Sequence, residues 1–247
     1  MAKDANGAKD AKGAGGGGGR RASDRGHYGR LTRERVLATA LEVVDRDGLS
    51  GLSMRKLGAE LGVEAMALYR YAQSKSDLLD GLVEAFCGEL EQVLGEETEG
   101  AGAPQAGDWR RGLHRIALAT YRVGLCHPHV VPLLATRLLS TPLARRPPAV
   151  LRSDERVLAL LHAAGMNDRR TVSVHRAFTA WLLGYLIVEL RAMDDEPAEP
   201  DPAFRLGLHR MSAQELPRLR ATALALAERG GPEQLAAGLD ALLDRFD

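Results

Sequence analysis

The sequence predicts an all-α protein: a small N-terminal three-helix domain of the helix-turn-helix type, followed by a larger helical domain. Leu, Ala, Arg, Glu and Gly dominate while aromatic residues make up 4% of the chain, a balance that favours helices over strands. Apolar residues recur every three or four positions rather than alternating, as expected of helices that bury one stripe. The 247 residues also exceed one ordinary domain of roughly 100 to 200 residues, so a smaller and a larger unit are expected.

Residues 1–30 hold Gly, Ala, Lys, Arg and Asp with few apolar side chains, including a glycine run from Gly15 to Gly19. Ordering them costs chain entropy that no burial offsets, which predicts a disordered tail. Lys3, Lys9, Lys12, Arg20, Arg21, Arg25 and Arg30 outnumber Asp4, Asp10 and Asp24 there. Two readings stay open: a solubilising tail, or an arm that follows a nucleic-acid backbone.

From Thr32 onward, Val36, Leu37, Ala40, Leu41 and Val44 share one helical face, with Gly48 as the stop. After a short connection, Ser53 is placed to cap a second helix that turns Met54, Leu57 and Leu61 inward, and Gly62-Val63-Glu64 ends it. A third short helix is expected from Ala65 to Tyr71. Ser74-Lys75-Ser76-Asp77 reads as a capping box before a fourth helix through Leu78, Leu79, Leu82, Val83, Phe86 and Leu90. Two short helices joined by a tight glycine turn and braced by another have helix-turn-helix geometry. The predicted domain is 31–77, with 78–107 as connecting helix and linker, since glycines, acids and Pro104 crowd the stretch between Gly95 and Gly107. In 108–247 the spacing predicts helices at Trp109 to Cys126, His129 to Leu139, Ala149 to Ala164, Asp168 to Met193, Ala213 to Ala227 and Pro232 to Phe246. Asp194-Asp195-Glu196-Pro197 opens a Pro- and acid-rich loop, because proline cannot continue a helix.

Lys plus Arg and Asp plus Glu both number 33, so any basic surface for nucleic acid has to be local. Cys87 and Cys126 show neither a CxxC nor a disulfide-scaffold pattern and fall in apolar helical stretches, which predicts buried, reduced thiols. The N-terminal lysines precede no apolar stretch of the kind a signal peptide needs. The longest apolar run, Ala180 to Val188, is far short of the ~20 residues that span a bilayer. A core helix, no membrane partner and a cytoplasmic location are expected. GxSxG, HExxH and P-loop motifs are absent and the glycine run follows no strand, so neither an enzyme nor a cofactor is expected.

The run Leu52-Ser53-Met54-Arg55-Lys56-Leu57-Gly58-Ala59-Glu60-Leu61-Gly62-Val63, then Leu68-Tyr69-Arg70-Tyr71 and Ser74-Lys75-Ser76-Asp77-Leu78-Leu79, resembles the signature of the TetR family of transcriptional regulators. Asp108-Trp109-Arg110, Cys126-His127-Pro128, Ala164-Gly165-Met166 and Leu183-Gly184-Tyr185 are similar to the C-terminal domain of its tetracycline-repressor branch. The resemblance implies a ligand-responsive repressor that binds double-stranded operator DNA as a homodimer and is released by a small effector, which the aromatic and aliphatic candidate lining predicts to be apolar. It implies Arg55 as a base reader, since guanidinium suits bidentate pairing with guanine. Tyr69, Tyr71 and Lys75 are implied as phosphate anchors, with Thr32, Ser53 and Lys56 as further backbone candidates. Ala65-Met66-Ala67 opens the recognition helix without a hydrogen-bonding side chain, leaving readout to thymine methyl contacts or to Arg70. Gly58 stands where Ala is common, at up to about 1 kcal/mol of helix propensity.

In the larger domain the candidate effector lining is Trp109, Leu113, Tyr121, His127, Phe178, Trp181 and Tyr185. Such a stripe is either plain core or an apolar cavity with a few polar groups. His127 corresponds, in the resemblance, to a ligand-contacting histidine. With no third ligand near His127-Pro128-His129, no metal site is expected. The helices Asp168 to Met193 and Pro232 to Phe246 are apolar around much of their circumference, and the resemblance implies a four-helix dimer interface with Leu235, Leu239, Leu242, Leu243 and Phe246 on the seam, the alternative being packing within the chain. The rival reading is a helical ligand-binding or adaptor protein without DNA binding, suggested by the bland Ala65-Met66-Ala67 and zero net charge.

Overall fold

Thr32 starts the first helix, its hydroxyl oxygen accepting from the Arg35 N–H at 3.2 Å. Helix α1 (Arg33–Gly51) buries Val36, Leu37, Ala40, Leu41, Val43 and Val44 and is interrupted at Gly48, whose φ of 69° lies in the left-handed region that glycine tolerates. Ser53 caps α2 (Met54–Leu61) by accepting from the Lys56 N–H at 3.2 Å, and Gly62, at φ 67°, ends it. Then come α3 (Ala65–Leu68) and α4 (Lys75–Glu96). The box before α4 is reciprocal: Ser74 Oγ accepts from the Asp77 N–H at 3.1 Å, and Asp77 Oδ2 accepts from the Gln73 N–H at 2.8 Å.

The structure, a computed structural model, describes residues 31–96, 109–138, 141–194, 207, 210–227 and 230–246. The expected tail, the linker around Pro104 and most of the Pro- and acid-rich loop lie outside the described residues. The larger part comprises α5 (Trp109–Cys126), α6 (Val131–Leu133) with a π-helical turn at Leu134–Leu138, α7 (Pro148–Ala163), α8 (Asp168–Asp194), α9 (Pro217–Ala227) and α10 (Gly231–Leu243). Among the described residues there is no strand, as the sequence predicts. Residues from Thr32 onward form one compact unit. Within it α4 packs against α1, α5 and α7, while α10 packs on α5 and α8. One helix therefore touches both the helix-turn-helix and the larger part.

Six expectations need correction. Leu235, Leu239 and Leu243, expected on a dimer seam, are fully buried within the chain, where α10 packs on α5 and α8. The helix expected from Ala213 starts at Pro217, since a proline fits the first turn and residues 213–215 form a turn. The third helix stops at Leu68 rather than Tyr71: Leu68 and Ala72 are both fully buried, and the Leu68 carbonyl accepts from Tyr71 and Ala72, so the chain must turn between them. The regular helix expected from His129 to Leu139 is a turn, one α-helical turn and a π-helical turn. Pro132 lacks an N–H and is tolerated only in a first turn, so the helix restarts at Val131. Thr136 Oγ1 then donates to the Pro132 carbonyl at 3.0 Å, competing with the backbone for an acceptor. Cys87 is buried, which pushes its thiol up to about 12, but Cys126, the last residue of α5, is exposed. Finally, Asp168–Leu190 is long and apolar enough to cross a membrane by length and composition, with a third of its apolar window buried. The uninterrupted run counted in the sequence missed this, because His175 and Arg176 divide apolar stretches that average together. Here that helix packs on α5, α7 and α10.

Candidate nucleic-acid interface and sensing site

Arg55 near the start of α2, Arg70 after α3 and Lys75 at the start of α4 are exposed and, among the described residues, hold no hydrogen bond or ion pair through their side chains. Between them Met66 is 74% exposed and Tyr69 44% exposed, while Ala65 and Ala67 are half-buried. The α2–α3 junction is tight: a Cβ on Gly58 would sit 2.8 Å from the Val63 carbonyl oxygen, so this glycine permits the closeness as well as costing propensity. Thr32 and Ser53 are exposed with their oxygens used in capping, which leaves each O–H as a donor. Tyr71 is half-buried and its carbonyl accepts from Arg33 Nη1. Lys56 is already engaged, its Nζ 2.8 Å from Asp47. That hydrogen bond is the first cause holding the Asp47 carboxyl below its usual range. Arg46 adds a tie between Asp47 at 3.0 Å and Glu60 at 2.5 Å, fixing the end of α1 against α2.

Along α4 the acids receive cations from other elements. Arg33 Nη2 reaches Glu84 at 3.1 Å and Asp77 at 3.9 Å. Arg137, from the π-helical turn, donates to the Ser76 carbonyl at 3.1 Å and pairs with Asp80 at 2.7 Å. Arg156 of α7 pairs with Glu91 at 2.6 Å. His127 sits between two carboxylates, with Nδ1 2.7 Å from Asp45 of α1 and Nε2 2.8 Å from Glu89 of α4. Both ring nitrogens donate there only when the imidazole carries its second proton. Burial raises the Asp45 carboxyl above its usual value, opposed by the hydrogen bond to His127.

The predicted effector lining divides. Leu113 and Phe178 are core. Tyr121, Tyr185 and Trp181 form an aromatic ladder, with ring centroids 6.4 Å apart for Tyr121–Tyr185 and 5.7 Å for Trp181–Tyr185. Helix α10 closes it. Tyr185 donates its hydroxyl to the Gly231 carbonyl at 2.7 Å, and a Cβ on Gly238 would come 2.9 Å from the Trp181 ring. Burial, then the Glu189 charge, pushes the Tyr185 hydroxyl up to about 12. Trp109 stacks with Arg110, 5.4 Å from ring centroid to guanidinium carbon. None of these residues lines any of three cavities among the described residues: a cleft of about 340 Å³ beside Arg33, Asp80 and Arg137, a smaller one beside His129 and Leu186, and a groove of about 580 Å³ beside Arg115 and Arg156. Among the described residues no cluster of His, Cys, Asp and Glu is arranged to hold a metal ion.

Residues 36–82 match the family model of bacterial regulatory proteins of the tetR family, and 101–244 match that of the tetracyclin repressor-like C-terminal domain. The chain belongs to the TetR family. Among curated relatives, the transcriptional repressor DrrR1 of Streptomyces coeruleorubidus is 32% identical over 67% of this chain and 56% of its own length. The tetracycline repressor protein class G of Vibrio anguillarum is 30% identical over 70% of this chain and 75% of its own. The matched stretch thus spans only 56% of DrrR1 and 61% of a further relative, a transcriptional regulator of Saccharopolyspora erythraea. Among solved structures, that of a possible TetR family transcriptional regulator from Streptomyces coelicolor A3(2) superposes with a TM-score of 0.69, at 28% identity over 87% of this chain and 98% of that one. ActR of Streptomyces coelicolor, in complex with actinorhodin, superposes at 0.67 with 21% identity over 88% and 97%, and shows the fold alone.

The TetR family is one of transcriptional regulators, and both parts of its architecture are present here. Sequence reasoning missed the groups that bind those parts together: Arg33, Asp45, Glu89, Arg137 and Arg156. One signal was readable, because Asp77, Asp80, Glu84 and Glu91 fall on one face of a helix at spacings of three, four and seven. An acidic stripe on an otherwise buried helix calls for cations from elsewhere.

Proposed function

We propose that the chain is a homodimeric, ligand-responsive repressor that binds operator DNA through α2 and α3 and leaves it when a small organic effector occupies the larger part. The observation that carries this is that Arg55, Arg70 and Lys75 all lie within one helix-turn-helix and are exposed without a side-chain partner among the described residues. Unpaired cations meet phosphate or base without first giving up a carboxylate. In this reading Arg55 reads a base, Met66, flanked by Ala65 and Ala67, faces thymine methyls, and Thr32, Ser53, Tyr69, Arg70, Tyr71 and Lys75 hold the backbone. Lys56 serves the α1–α2 junction first. The dimer forms on α8 and α10, where Val188 is 74% exposed and Ala180, Gly184, Ala237 and Ala241 are exposed small residues that let a partner helix approach. The protein then works in the cytoplasm, where the chromosome is.

A reading without DNA binding draws on the apolar Ala65-Met66-Ala67 face. The same experiment separates the two. Fluorescence anisotropy with duplex DNA from upstream of the protein's own gene is expected to give saturable binding that resists excess random duplex. Equal affinity for both DNAs at every salt concentration would leave the adaptor reading standing.

A further inference from the structure

The groove between α4, α5 and α7 has a volume of about 580 Å³, within the range of small-molecule sites. Leu160, Ala159 and Ala163 supply apolar wall, and Arg115, Arg152 and Arg156 line it with Glu91 and Glu155. These charges are not equivalent. Arg156 is spent on Glu91, through Nη2 at 2.6 Å and Nε at 3.4 Å. Arg115 Nε is buried and has no hydrogen-bond partner among the described residues. Arg152 is exposed and has no partner among the described residues, and Glu155 is exposed on the following turn of α7. After the Arg156–Glu91 pair is set aside, two guanidinium groups face one exposed carboxylate. A buried N–H of a charged group without an acceptor is costly, and the group that best satisfies guanidinium is a planar oxyanion.

We propose that this groove is the effector site and that it takes a small organic anion with an aromatic body: the carboxylate or sulfonate on Arg115 and Arg152, the ring on Leu160 and Ala163. This rests on the reading of the chain as a ligand-responsive regulator and gives its ligand a chemical class. It also gives the ligand a route to α4. The incoming anion competes with Glu91 for Arg156, and so loosens the tie between α7 and the end of α4 remote from Lys75.

The test uses the full chain and two fluorescent probes of one shape, anionic 8-anilinonaphthalene-1-sulfonate and uncharged N-phenyl-1-naphthylamine, with DNA anisotropy alongside. The sulfonate is expected to saturate near one per chain and to bind about tenfold or more tighter than the neutral probe. Arg115→Gln should remove that advantage and leave the neutral probe within about twofold. Ala159→Trp, on the exposed side of α7, should weaken both probes, and saturating sulfonate should raise the Kd for DNA. Equal affinity of wild type for the two probes overturns the proposal, as does unchanged sulfonate binding in both variants. If Arg115→Gln fails to fold, the wild-type probe comparison and Ala159→Trp still decide. Absence of DNA binding with clear preference for the sulfonate would overturn the regulator reading and keep the anion site; DNA binding without that preference would do the reverse.

Discussion

The cations of the helix-turn-helix and those arrayed along α4 differ in whether a carboxylate already holds them. Arg55, Arg70 and Lys75 are unpaired among the described residues, whereas Arg33, Arg137 and Arg156 each rest on an acid of α4. Both sets are partly or fully exposed arginines and lysines. The difference teaches that charge type does not tell a free cation, proposed above to meet DNA, from an internal strut, and that Lys56, inside the family signature, belongs with the struts through Asp47.

The sharpest way to break this comparison is at the DNA. Arg55→Ala should lose discrimination between operator and mutated operator by ~1 to 3 kcal/mol, while Lys75→Ala should weaken binding to all sequences and reduce the salt slope by ~1. Lys56→Ala should weaken DNA less than Lys75→Ala does. Equal losses from Lys56→Ala and Lys75→Ala, read by anisotropy over a salt series, would erase the distinction between struts and contacts.

Next in size is the strut between the two parts. His127→Ala leaves Asp45 and Glu89 without the ring that hydrogen-bonds both and should cost ~1 to 3 kcal/mol in denaturant-induced unfolding. The folded pKa of Asp45 lies above 3.8, so its contribution to stability is present below that value and is lost as pH rises through the folded value. Removing His127 takes away what opposes that rise, so the variant's window should shift to higher pH. An unchanged stability profile from pH 3 to 7 would show that this contact holds nothing.

A smaller change is expected from Arg137→Ala, which frees the start of α4 from Ser76 and Asp80 contacts. Operator affinity should shift by ~0.5 to 2 kcal/mol with little change in melting temperature. A melting shift without an affinity shift would make Arg137 a plain stabiliser. Least in energy but clean in readout, a thiol reagent should label Cys126 in the native protein and Cys87 only after unfolding. Two fast thiols would contradict the packing of α4.

Most helices were readable because stripes such as Val36, Leu37, Ala40, Leu41 and Val44 need only a local period, and Ser53 and Ser74 cap as their positions predict. Sequence failed where a side chain competes with the backbone, as at Thr136, or where two buried anchors force a turn, as at Leu68 and Ala72. On the candidate site, the exposed Arg55, Arg70 and Lys75 were visible as part of a motif. The groove was not, because Glu91, Arg115 and Arg156 stand far apart in the chain and meet only when α4, α5 and α7 pack. The aromatic stripe drew attention to Trp181 and Tyr185, yet those rings lie under α10.

The length of α4 has a mechanical meaning. Its 22 residues make a rod of about 33 Å, at about 1.5 Å per residue. Pivoted at its C-terminal end by about 5°, such a rod carries its Lys75 end through about 3 Å, and in the proposed dimer two copies about a two-fold axis would change their separation by up to about 6 Å, against a groove repeat of about 34 to 36 Å. The gain depends on stiffness. Gly88, inside the rod and with open space where a Cβ would sit, is a soft point in it; Gly88→Ala should stiffen the shaft and pass more of any tilt to the DNA-facing end.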